Sequence, residues 1–292
     1  MTMGHSFSLA HLTVLDVAPP EMVALAARAG YDRIGVRLLP ATPGGPAYLM
    51  DDPPMLRDTL AAIADTGVTV FDLEIIRLEP HTDLAAFTPF LEVGQALGAR
   101  AILVAGNDPD EARLTARFAG LCEAAAPYGL TADLEFMPWT DVPDLSKAAR
   151  VVRAAAQPNG GVLVDALHFD RSGSRIAELA ALPREWLHYV QLCDAPAERP
   201  ATTEGLIHAA RAERLFPGEG GIDLLSILRP LPRDVPLSLE IPTDRLARSV
   251  GPEERARRAL AAAKAVLARL DEAGEGQGEG QGEGRPLAGV AR

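Results

Sequence analysis

A (β/α)8 TIM barrel of class α/β is the fold this sequence predicts, and three observations predict it. Eight short apolar runs recur through the chain, longer segments with helical spacing separate them, and "LTVLDVAPPE" lacks the glycine-rich turn that follows the first strand of a dinucleotide-binding sheet. The barrel is expected as a single domain over residues 1–273, followed by a Gly/Glu/Gln-rich tail over 274–292.

The runs, in order, are "SFSLAHLTV" (6–14), "RIGVRLL" (33–39), "TVFDLEIIRL" (69–78), "AILVAG" (101–106), "LTADLEF" (130–136), "GVLVDAL" (161–167), "HYVQLCD" (188–194) and "PLSLEI" (236–241). Between them lie "PPEMVALAARAG" (19–30), "MLRDTLAAIADTG" (55–67), "DLAAFTPFLEVGQALG" (83–98) and "DEARLTARFAGLCEAAAPYG" (110–129), whose apolar residues recur at helical spacing and which end in glycine. Glycine suits a helix C-terminus because it enters the left-handed region without a Cβ clash. Apolar strands alternating with helices indicate parallel strands, since a parallel pair needs a crossover and the crossover helices cover the sheet. The segment "PEERARRALAAAKAVLARLDEA" (252–273) is the closing helix, and the polar, low-complexity remainder is expected to be disordered because it cannot bury enough apolar surface.

Composition narrows the partners. With 48% hydrophobic residues the chain can bury a substantial core, and a formal charge of −12 argues against broad affinity for nucleic acid or an anionic membrane. Two cysteines, Cys122 and Cys193, form no disulfide or metal pattern and read as reduced, buried thiols. No apolar stretch reaches the ~20 residues that span a bilayer and no signal peptide is evident, so a cytoplasmic protein is the expectation. A homo-oligomer stays open.

In a barrel of this kind the strand C-termini carry the chemistry. Polar residues sit inside four consecutive apolar runs: Glu135 in "ADLEF", Asp165 in "LVDAL", Gln191 in "YVQLC" and Glu240 in "LSLEI". Any one of them reads equally well as a helix cap or an ion-pair partner. Three buried carboxylates facing one axis, however, repel unless protonated or neutralised, and a divalent cation neutralises them with the amide oxygen as fourth donor. Oxygen-only donors favour Mn²⁺, Mg²⁺ or Co²⁺ over Zn²⁺.

The stretches "LEF", "VDALHF", "VQLCDAP", "FPGEGGIDL" and "LSLEI" resemble, in this order, the xylose isomerase-like barrels, known broadly as sugar phosphate isomerases and epimerases. The resemblance covers roughly residues 6–270. It implies that Glu135, Asp165, Gln191 and Glu240 bind one divalent metal, and that His168, three residues after the metal-binding Asp, belongs to the site. Such a metal stabilises the enediolate formed when the proton beside a carbonyl is removed. Glu135, Glu240 and His168 are the expected catalytic groups, the first two as the pair that exchanges the proton and His168 as hydrogen-bond donor or acid.

Weaker candidates surround them. His11 on the first strand, Arg37 closing the second, and Glu74 with Arg77 closing the third are expected to touch substrate, an arginine fork suiting a phosphate or carboxylate. Each reads equally well as a packed histidine or an ion pair between strand ends. In "HAARAERLFPGEGG" (208–221), taken as a long loop, Arg211 or Arg214 is expected to cover the substrate. Trp139 and Phe169 are candidates for an apolar wall, and Asn107–Asp108 for a turn.

A metal-dependent isomerase or epimerase acting on a small polyhydroxylated ketone or sugar phosphate is the first functional expectation. A dehydratase of the 3-dehydroshikimate or inosose type is the rival, since Gln191, the "FPGEG" turn and "PLSLEI" look similar to those enzymes. Met137 stands where some such dehydratases have a second histidine, and Asp141 where ketohexose epimerases often carry a glutamate. Endonuclease IV shares the barrel but needs three zinc ions and many histidines, and this chain has six in all. A catalytically idle barrel that binds a metabolite or a partner subunit is the remaining class.

Overall fold

The computed structural model describes residues 5–278. Eight parallel strands, β1 (Phe7–Leu9), β2 (Arg33–Arg37), β3 (Thr69–Leu78), β4 (Ala101–Gly106), β5 (Thr131–Glu135), β6 (Gly160–Asp165), β7 (Val190–Leu192) and β8 (Leu237–Leu239), close in sequence order into a barrel. Closure is made by β8 pairing β1 in register, Phe7 opposite Leu237 and Leu9 opposite Leu239. The helices are α1 (Pro19–Ala29), α2 (Pro53–Thr66), α3 (Thr88–Ala96), α4 (Glu111–Ala125), α5 (Leu145–Ala155), α6 (Ala166–Ser172), α7 (Ile176–Ala180), α8 (Thr203–Ala212), α9 (Leu224–Leu228), α10 (Asp244–Ala247) and α11 (Pro252–Gly278).

Local chemistry explains where these helices start. Asp52, Asp110, Asp144, Asp165, Thr202 and Asp223 each accept a hydrogen bond from a first-turn backbone N–H, satisfying a donor that the helix itself leaves free. Gly30 ends α1 at φ 90°, a conformation that a side chain would strain. The apolar stripe of α5, Leu145, Val151 and Val152 with two alanines, is buried, and each such Leu or Val contributes roughly 1.5–3 kcal/mol. Two cores result. A large annular one lies between strands and helices, and a small one of Phe71, Ile75, Leu103, Leu163 and Tyr189 fills the barrel interior.

Several expected boundaries shift. The first strand ends at Leu9, and residues His11–Val14 form a 3₁₀ turn instead, so His11 stands beyond the strand. Ala166 and Leu167 open a helix, because Asp165 caps it, and His168 therefore sits on α6 rather than in a loop. Residues 208–212, the first five of the expected 208–221 loop, are helical as the end of α8 (Thr203–Ala212). The last helix runs through Gly278, five residues past its expected end, and the rest of the 274–292 segment lies outside the described residues. No helix among the described residues is long and apolar enough to cross a membrane. Cys122 and Cys193 are buried free thiols.

Candidate active site

The barrel brings the four expected donors to one end of its interior. Glu135 and Asp165 are the last residues of β5 and β6, Gln191 lies on β7 opposite Asp165, and Glu240 follows β8 directly. All four are buried. Glu135, Asp165 and His168 each offer a donor atom within 4.8 Å of the others. Gln191 donates its Nε2 to Glu240 Oε1 at 3.1 Å, which leaves its own Oε1 as a buried acceptor without a partner. Glu135 Oε1 and His168 Nδ1 are likewise buried and unpartnered. Orphaned oxygens beside a carboxylate cluster are what a hard divalent cation would satisfy, so the residues fit one.

Arg214 is the cation already among them. Its Nη1 donates to Asp165 Oδ2 at 2.5 Å and to the Glu240 carbonyl at 3.2 Å, while Nη2 lies 2.8 Å from Glu240 Oε2. Nε is anchored on the Ala210 carbonyl at 2.7 Å. Burial pushes the Asp165 carboxyl up, but the charge and hydrogen bond of Arg214, joined by His168 and its backbone N–H, together outweigh it and hold the group below its ordinary range. Burial, then the Glu240 and Asp165 carboxylates, hold Glu135 well above its ordinary value. Burial lifts Glu240 to about 7 against the pull of Arg214. His168, whose Nε2 lies 3.7 Å from Glu135 Oε1, is pushed down to about 4 by burial and is neutral near pH 7. Trp139 packs edge-on against its ring at 5.1 Å.

A cavity of about 210 Å³ opens above these groups, lined by Glu135, His168, Arg214 and Glu240 with Arg37, Arg77, Arg211, Met137 and Trp139. At ~30 Å³ per water it has room for one small ring compound. A more open cavity of about 720 Å³ adjoins it, sharing Arg211 and carrying none of the four donors.

The weaker candidates separate here. Arg37 donates Nε to Glu74 Oε2 at 2.9 Å in a buried pair, and Glu74 does not line the cavity. His11 has both ring nitrogens engaged, Nδ1 accepting from the Arg37 amide at 2.9 Å and Nε2 bonded to the Val17 carbonyl at 3.0 Å; its ring stacks on Tyr48. Asp108 pairs with Arg113 and caps a turn, and Phe169 belongs to the annular core. Arg77 reaches only the Ala41 carbonyl and Asn107 Oδ1, and Arg211 forms no ion pair among the described residues.

Two contributors escaped the sequence. The loop after β2 supplies Ala41, Thr42, Gly45 and Pro46 to the cavity wall, with no chemical signal beyond its Pro/Gly content. Asp194 accepts backbone N–H bonds from Gly218, Gly220 and Ile222 at 2.9, 3.0 and 3.1 Å, and its backbone pairs with Leu215 in both directions. It thereby pins the turn that follows Arg214, and the acid in "QLCDAP" facing "FPGEGG" was its only trace.

A closed eight-stranded α/β barrel with its acids gathered at the strand C-termini is the architecture in which barrel enzymes place their chemistry. Residues 23–266 match the model of the xylose isomerase-like TIM barrel family, and the chain belongs to that family. It is 30% identical over 258 residues to a 3-dehydroshikimate dehydratase of Pseudomonas aeruginosa, an alignment covering 81% of this chain and 38% of that protein. It is 32% identical over 114 residues to an inosose isomerase of Halalkalibacterium halodurans, covering 37% of this chain and 38% of that protein. The chain thus spans about two fifths of the length of the curated relatives it matches. Its fold is that of the IolI protein, solved with a bound zinc atom, at TM-score 0.75 and 20% identity over 91% of this chain and 99% of that one.

Proposed function

We propose that the chain is a divalent-metal-dependent lyase of the 3-dehydroshikimate dehydratase type, acting on a small cyclic polyhydroxylated ketone that bears a carboxylate. The observation that carries this reading is the pair Arg77 and Arg211. Both line the 210 Å³ cavity with Glu135, His168 and Glu240, and neither has a carboxylate partner among the described residues. Burial, then the nearby Arg211, pushes the Arg77 guanidinium below its ordinary value against the more distant pull of Glu135 and Glu79, and an anionic substrate would supply the direct partner that neither arginine has. A neutral inosose offers none. The similarity of most of the chain to a 3-dehydroshikimate dehydratase supports the same order, which reverses the expectation that put an isomerase first.

Glu135, Asp165, Gln191 and Glu240 would hold the metal, with Mn²⁺, Mg²⁺ or Co²⁺ favoured by oxygen donors. When bound, a divalent ion supplies Lewis acidity to the substrate carbonyl. The remaining work falls to the chain. Arg77 and Arg211 fix the carboxylate; a cavity-facing carboxylate, Glu135 or Glu240, takes the proton from the carbon beside the carbonyl. Neutral His168, steadied by Trp139, relays the proton that the carboxylate took from the carbon on to the departing hydroxyl, so that it leaves as water. Met137 and Trp139 keep bulk water out.

An isomerase or epimerase is the second reading, favoured by Glu135 and Glu240 standing three strands apart in barrel order, as proton exchange on two faces of one carbon requires, and by the likeness to an inosose isomerase. The test is a panel of 3-dehydroshikimate, inososes and ketoses with Mn²⁺ or Mg²⁺, repeated with chelator. A conjugated ultraviolet chromophore from 3-dehydroshikimate, lost on chelation, is the expected result. Solvent-proton exchange without loss of water would replace the lyase by the isomerase, and inertness toward all three classes would overturn both.

A further inference from the structure

One guanidinium fork spans two different carboxylates of the candidate metal set. Arg214 and Asp165 are 2% and 0% exposed, and Arg214 places Nη1 on Asp165 Oδ2 and Nη2 beside Glu240 Oε2 at 2.5 and 2.8 Å. The other oxygens are also taken: Asp165 Oδ1 accepts the His168 backbone N–H at 3.1 Å, and Glu240 Oε1 accepts from Gln191 at 3.1 Å. All four oxygens of these two acids therefore face donors, while Glu135 Oε1 and Gln191 Oε1 face none.

We propose that Arg214 is a built-in competitor for the divalent ion, so that loading the site drives its guanidinium off Asp165 and Glu240 and into the substrate cavity. This rests on the metal-site reading above. An ion held by Asp165 and Glu240 must displace a donor or sit against a like charge. The His168 N–H cannot yield, because it belongs to the first turn of α6 and is fixed by the backbone. The Arg214 side chain can, since it is long and its anchors outside the two acids are the Nε bond to the Ala210 carbonyl near the end of α8 and a weak 3.3 Å contact of Nη1 with Cys193 Sγ. A dication and a guanidinium sharing one carboxylate in a buried site repel strongly, so both do not remain.

The displaced group has a destination. Arg214 already lines the cavity beside Arg211 and Arg77, and its arrival there adds a third positive charge to an unpaired pair. An anionic substrate relieves that crowding. Metal and carboxylate therefore favour each other's binding, and linkage makes the effect equal in both directions.

The test is Mn²⁺ titration of the full chain, with free Mn²⁺ read by its paramagnetic resonance signal. Arg214→Met should bind Mn²⁺ at least tenfold more tightly than wild type, and Arg214→Lys should fall between. In wild type, which needs no altered fold, a ring carboxylate without the ketone, such as shikimate, should tighten Mn²⁺ binding severalfold. Equal or weaker Mn²⁺ affinity in Arg214→Met, or no effect of shikimate on wild type, would overturn the competition while leaving the metal site standing. Failure of wild type and both variants to take up Mn²⁺ would instead remove the metal reading on which it rests.

Discussion

Gln191 turns its amide nitrogen to Glu240 Oε1 at 3.1 Å and so leaves its oxygen as a buried acceptor with no donor. One short contact thus orients an amide on β7 by a carboxylate at the end of β8, and it fixes which end of the amide faces the other acids.

That relationship gives the first prediction. Glu240→Gln removes a charge and a base while keeping the side chain's size, so turnover of the active substrate should fall by at least ~10²-fold with little change in melting temperature. Steady-state kinetics beside a thermal melt check it, and a variant with wild-type turnover would remove Glu240 from the chemistry.

His168 has a separate role to test. His168→Ala should lower kcat by roughly 10²-fold if the ring moves a proton. Metal uptake should stay near wild type, because the four oxygen donors remain. Unchanged kcat would reduce His168 to a packing partner of Trp139.

The cavity arginines are expected to act on binding. Arg211→Ala should raise KM for a carboxylate substrate roughly tenfold or more, with kcat less affected, since a charge-assisted bond contributes about 1.5–3 kcal/mol. An amide or ester of the same substrate should show no such difference between variant and wild type. Equal losses on charged and uncharged substrates would refute the anion-binding role.

Below the site, His188 Nδ1 and Asp133 Oδ1 lie 2.6 Å apart. Burial lowers the His188 pKa, but the bond and charge of Asp133 outweigh it, and the net value is raised above 6.5. A raised folded value means the protonated ring is favoured in the native state, so its stabilisation is full below about pH 6.5 and fades as pH rises through the folded value. His188→Gln should therefore cost about 1–2 kcal/mol at pH 5.5 and less with increasing pH. Denaturant melts across pH 5–9 would show it, and a pH-independent difference would count against the charged pair.

The legible part of this protein was the part written in periodicity. Alternating apolar runs and helical segments gave eight strands and their order, and the limits of β3 and β4 match to the residue because a turn or polar break bounds each run. Glu135, Asp165, Gln191 and Glu240 stood out because a polar residue inside an apolar strand has few bland uses. The ends of strands were less legible. "SFSLAHLTV" is apolar throughout, and nothing in that pattern distinguishes Leu9, paired on both sides, from His11, whose ring is taken by the Arg37 amide and the Val17 carbonyl. Asp165 hid a helix start because a cap and a strand terminus are the same residue there. Pairings across the barrel, Arg214 with Asp165 or Asp133 with His188, join residues 49 and 55 positions apart, and local pattern does not encode them.

The most direct test of the central claim is anomalous diffraction from crystals of the full chain grown with Mn²⁺. The expected result is one strong peak at bonding distance from carboxylate oxygens of Glu135, Asp165 and Glu240 and from Gln191 Oε1, absent in Glu135→Gln. A well-ordered structure with no peak among these residues, or with the ion bound elsewhere and these oxygens turned apart, would contradict it.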